Sequence, residues 1–157
     1  MLDFFAPSVT RLRRRRDLAG LIEALRSGQV RVRRAAANAL ILMPDPRAAE
    51  PLTAALRDPD ELVRVNAALA LGELQGPRPE YERTLEPLLA ALDDPSAQVR
   101  AMAASALGLR KDARAIAGLV RHLDDESALV RTTALVVLRG FDDSRAREAL
   151  AVRGVRA

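Results

Sequence analysis

The chain has 157 residues, no cysteine or tryptophan, one histidine and one tyrosine, and 49% of it is hydrophobic. That length suits one domain or a short repeat array. The missing cysteines exclude a thiol nucleophile, a disulfide, a thiolate zinc site and an iron–sulfur cluster, and His122 alone cannot build a histidine-rich metal cluster.

Alanine (30), leucine (25) and arginine (24) fill 79 of the 157 positions. All three favour helices. Strand-sized runs of Val, Ile, Thr and aromatics are missing, so the fold class expected is all-α. The net charge of +4 is unevenly placed: Arg11, Arg13, Arg14, Arg15 and Arg16 are five of the 25 basic residues, and without them 20 basic face 21 acidic residues.

In chain order, Met1-Leu2-Asp3-Phe4-Phe5 runs into Pro7 without the apolar core of a secretory signal. No stretch has the ~18 consecutive apolar residues of a membrane span, so the expectation is a cytoplasmic protein without membrane contact. Ser8 to about Arg16 reads as an N-terminal capping helix with Val9 and Leu12 turned inward and the arginines solvated. Phe4 and Phe5 are expected to seal the open end of the first repeat. The same arginines are also a candidate nucleic-acid or acidic-partner site.

Four segments then superpose: Leu21–Leu40, Leu52–Leu71, Leu88–Leu107 and Leu119–Leu138. Their anchors Leu25, Leu56, Leu92 and Leu123 are spaced 31, 36 and 31, as are the pairs Val32-Arg33, Val63-Arg64, Val99-Arg100 and Val130-Arg131. Each segment reads as a short helix, a turn and a second helix. Asp45, Asp112 and Asp143 are placed to cap the first helices, and Asp58-Pro59 and Asp94-Pro95 break the chain between the two helices. Val63, Ala67, Ala70, Leu71 and Leu74 mark one buried face. The equivalent alanines Ala36, Ala39, Ala103, Ala106 and Ala134 keep it thin. Such pairs bury their apolar faces only by stacking.

The Leu, turn-Asp, Val-Arg, Ala-Ala-x-Ala-Leu pattern is cleanest in Leu92-Asp93-Asp94-Pro95, Val99-Arg100 and Ala103–Leu107. It resembles the HEAT-repeat family, in particular the short repeats named after phycobilisome lyase subunits. The resemblance covers about residues 17–150. It implies a right-handed α-α superhelix of about four helical hairpins, with the second helices lining the concave side. The hairpins fall at about 17–43, 46–75, 84–110 and 113–141, with a partial fifth repeat at 144–157, in one domain over 1–157. Repeat 1 departs by Ser27-Gly28 at the turn Asp, and repeat 2 by a five-residue insertion.

The pairs Asp58/Arg64, Asp94/Arg100 and Asp125/Arg131 recur once per unit. That recurrence favours a structural ladder over a catalytic site, each Arg reaching the turn of its own or an adjacent repeat. His122, followed by Asp124 and Asp125, invites a metal or acid–base reading, but a histidine near a helix C-terminus also suits the dipole. Ala24, Ala55 and Ala91 hold its position elsewhere.

The insertion around Gly76–Arg83 carries Tyr81 on a proline-stiffened loop, a candidate contact point. The solvent-side positions of the second helices are Arg34, Ala35 and Asn38; Val65, Asn66 and Leu69; Ala101, Met102 and Ser105; and Thr132, Thr133 and Val136. Only Arg34 among them is charged. A neutral, mildly apolar stripe favours a protein partner over nucleic acid. From it Arg34, Asn38, Val65, Asn66, Leu69, Met102, Ser105, Thr133 and Val136 are taken as partner-binding candidates, with Tyr81.

The function expected is therefore a non-enzymatic scaffold binding a protein on its concave face, without cofactor or metal. The alternatives are binding through Arg11–Arg16 and, from the resemblance alone, a bilin-lyase-like subunit. HEAT-like glycosylases and di-iron hydroxylases need aromatic grooves or His-Glu pairs that this chain lacks. An apolar edge at Ala149, Leu150 and Val152 allows end-to-end self-association.

Overall fold

A computed structural model of the chain describes residues 8–74 and 78–154. Phe4 and Phe5 lie outside the described residues. Among the described residues all regular structure is helical. The contacts divide the chain into two compact units, Met1–Thr84 and Leu85–Ala157.

The first unit opens with α1 (Val9–Arg15), whose Leu12 is buried and whose Val9 is half-buried. Helices α2 (Leu18–Ala24) and α3 (Val30–Ile41) form the first hairpin, and α4 (Ala49–Ala55) and α5 (Glu61–Glu73) the second. Within each hairpin the partners pack together, and α3 packs along α5. The thin-face alanines carry this contact: Ala36, Ala67 and Ala70 are fully buried and Ala39 nearly so. A methyl group at each seam position lets the backbones approach.

Helix α6 (Arg78–Ala91) opens the third hairpin. It corrects the loop expected around Tyr81, because most of the insertion is helical. The physical reason is that a proline in the first helical turn removes an N–H with no intrahelical partner anyway, so Pro79 starts the helix instead of breaking it.

In the second unit, α7 (Ala97–Arg110) packs along α9 (Ala128–Arg139), and α8 (Ile116–Arg121) pairs with α9. Gly108 permits the closeness of α7 and α9, since a Cβ there would lie 2.7 Å from a methyl of Val137. Helix α10 (Ser144–Val152) supplies the first helix of a fifth repeat and packs on α8 and α9. The four anchors, Leu25, Leu56, Leu92 and Leu123, are all buried.

Asp45, Asp112 and Asp143 cap as their position suggests, each accepting the backbone N–H two residues on at 2.9 Å. Each carboxylate also takes the side chain of that same residue, Arg47, Arg114 or Arg145. The Arg145 bond, with the backbone N–H, holds the Asp143 carboxyl down at about 2.

Candidate functional site

Arg33 and Arg100 each grip two turns at once. Nη1 of Arg33 donates to the Ser27 and Gly28 carbonyls of its own turn, while Nε and Nη2 donate to the two Asp58 oxygens at 2.7 and 3.0 Å. Arg100 repeats this with the Asp94 and Pro95 carbonyls and with Asp125 at 2.9 and 2.8 Å. Arg64 and Arg131 hold the carbonyls of their own turns, Asp58-Pro59 and Asp125-Glu126.

The six-residue Asp/Arg spacing thus marks an arginine on its own turn's backbone. The carboxylate of Asp58 or Asp125 serves the arginine of the preceding repeat. Arg33, which belongs to this set, is outside the sequence-derived ladder because its own turn carries Ser27 instead of Asp. The Arg100 fork, assisted by a backbone bond from Ser127, holds the Asp125 carboxyl below the usual carboxylate range.

His122 is buried, with Nδ1 2.8 Å from the Gly118 carbonyl and Nε2 2.7 Å from that of Leu92. It ties the end of one first helix to the next. Alanine at the equivalent positions gave no signal of this.

Of the stripe in the first unit, Arg34, Ala35 and Asn38 are exposed and Val65, Asn66 and Leu69 half-buried. Arg34 is already engaged: it donates to both Asp60 oxygens, at 2.8 and 2.5 Å, and this bond holds the Asp60 carboxyl down at about 2. Asn66 donates to the Arg34 carbonyl at 3.5 Å. The face is thus close to electrically neutral.

In the second unit, Thr132 and Val136 are exposed and Met102, Ser105 and Thr133 half-buried. The Thr133 hydroxyl donates back to the Leu129 carbonyl at 2.9 Å. Ala101 is a correction, being fully buried instead of solvent-facing. Seven residues of α7 are buried, and a methyl on so enclosed a helix does not reach past its neighbours. The Tyr81 side chain lies outside the described residues.

Among the exposed large apolar side chains, Val136 is one of the stripe candidates, whereas Leu42, Leu62, Leu109 and Leu129 are what sequence reasoning missed. Leu62, Leu109, Leu129 and Val136 sit on second helices and Leu42 caps one, while only Val152 lies on a first helix, among the described residues. Leu129 and Val136 are seven residues apart on α9, as Met102 and Leu109 are on α7, so each pair shares a helix face.

Stacked helical hairpins with an arginine–aspartate ladder define an α-helical repeat protein. The model of HEAT repeats matches residues 18–81 and 85–153, and the chain belongs to that family. Among solved structures it is similar to a designed armadillo repeat protein in complex with the peptide (KR)4, at 21% identity and TM-score 0.67, covering 93% of this chain and 74% of that one. It is also similar to computationally designed armadillo repeat proteins for modular peptide recognition (23%, 0.64, 93% and 74%). The third is the Escherichia coli protein YibA (18%, 0.66, 95% and 63%). At these identities the likeness is one of fold. A comparison with the curated proteins finds no match. No helix among the described residues is long and apolar enough to cross a membrane.

Proposed function

We propose that this protein is a non-enzymatic binding module that holds a protein segment against its second helices. The observation that carries this is the sorting of exposed apolar side chains, five of six large ones lying on second helices or their cap. Each forgoes part of the roughly 1.5–3 kcal/mol of full burial while it faces water, and a partner's apolar side chains recover it. Asn38, exposed and without a side-chain hydrogen bond among the described residues, offers a donor and an acceptor to a peptide backbone. The designed relatives in fold that bind peptides support a peptide-like ligand.

The test is selection of peptides from a random displayed library against the intact chain, followed by photo-crosslinking from Asn38 and Val136. A crosslink from either position is expected, each reporting on the second helices of its own unit. Peptides that crosslink only from the exposed first-helix residue Glu148 would place the site elsewhere.

A further inference from the structure

We propose that α1 is a second docking surface, for the phosphate backbone of double-stranded nucleic acid. The helix is fixed on the repeat scaffold and is not a loose arm. Leu12 is 5% exposed, α1 contacts both α2 and α3, and Gly20 lies beneath it, where a Cβ would meet Leu12 at 2.7 Å.

With Leu12 inward, about 100° per residue places Arg11 and Arg15 on one flank, Arg13 on the other and Arg14 outermost. All of these, and Arg16, are exposed. None makes an ion pair or side-chain hydrogen bond among the described residues. The adjacent Asp17 is spent on capping, accepting the Gly20 N–H at 2.9 Å. Elsewhere Arg33, Arg34, Arg47, Arg100 and Arg145 are neutralised by aspartates. Among the described residues, five exposed arginines without an ion pair thus stand side by side on a helix packed against the first hairpin.

The chemistry around it selects the partner. The exposed side chains of residues 8–16 are Ser8, Thr10 and the five arginines, with nothing apolar. A protein interface wants an apolar centre, an interfacial membrane helix an exposed apolar face, and a single strand aromatic platforms. A duplex needs only cations, and its binding is driven by counterion release. Seven helical residues span about 10 Å, facing roughly six phosphate charges at about 1.7 Å of axis each.

The experiment is fluorescence anisotropy of a labelled random-sequence DNA duplex with the intact chain, over roughly 50 to 200 mM salt. The comparison is a variant carrying Arg13→Gln, Arg14→Gln and Arg15→Gln, checked for native helix content. With four to five contacts the log–log slope should be about −4, a loss of about 10²-fold across that range. The triple variant should flatten the slope by about 3. A Leu69→Glu, Met102→Glu variant should bind the duplex unchanged, which separates this surface from the peptide face. No binding at the lowest salt overturns the proposal, as does equal binding by the triple variant. So does binding to phosphatidylserine vesicles with none to DNA.

Discussion

Arg100 and Asp125 stand 25 residues apart and meet through two parallel hydrogen bonds of 2.9 and 2.8 Å, both side chains 8% exposed. The same guanidinium holds two carbonyls of its own turn, so one side chain fixes two consecutive turns. Replacing Arg100 with Ala strands a buried carboxylate and should cost about 3–5 kcal/mol. Arg100→Lys keeps the charge but not the fork, and should recover less than half of that. Chemical denaturation of the three proteins measures both numbers. A lysine variant as stable as the parent would show that the charge alone matters.

Acid should unfold the protein by releasing these carboxylates. Asp60 and Asp143 titrate at about 2 in the folded chain, held by Arg34 and Arg145, and Asp45 and Asp125 are also lowered. In the unfolded chain an aspartate titrates near about 3.9, so the folded state binds fewer protons between these values. The stabilisation is complete above about pH 4 and is lost as pH falls toward 2. Melting temperature should hold steady at mildly acidic pH, then drop, whereas Arg34→Gln should start lower and fall less over the same range, because it no longer has the Asp60 contribution to lose. A melting temperature rising on acidification would refute this.

Much of the fold could be read from the sequence because its determinants recur. Leucine anchors, turn aspartates and thin alanine faces repeat at fixed spacing, and helix periodicity follows from them. The ladder's true partners were hidden because Asp58 is nearer in sequence to Arg64 than to Arg33, while stacking brings the preceding repeat's arginine to it. Helix α6 was hidden because the prolines of the insertion were read as stiffening a loop, while one in a first helical turn suits a helix start. Ala101 was misplaced because periodicity assigns a face but not how deeply a short side chain sits on it.

His122 tests whether position within the repeat dictates role. Its equivalents are alanines, yet His122→Ala would leave the buried Leu92 carbonyl without its 2.7 Å contact. A loss of about 1–3 kcal/mol is expected. Thermal melting of the variant decides it, and an unchanged midpoint would mean that the ring only fills space.

The seam between α3 and α5 should be intolerant of bulk. Ala67 is fully buried there, and Ala67→Leu should destabilise by about 1–3 kcal/mol through overpacking. Ala54→Leu, on the exposed side of α4, should be neutral in the same denaturation assay.

If the second helices hold the peptide, its affinity depends on Leu69 and Met102. The measurement is the affinity of a library-selected peptide for the intact chain and for the Leu69→Glu, Met102→Glu double variant, with helix content and melting recorded in parallel. Both positions are half-buried outside the alanine seams. The variant should keep the parent's helix content and lose peptide affinity by about 100-fold or more, near 2.7 kcal/mol. A folded double variant that binds the peptide as the parent does would mean that the second helices do not hold it.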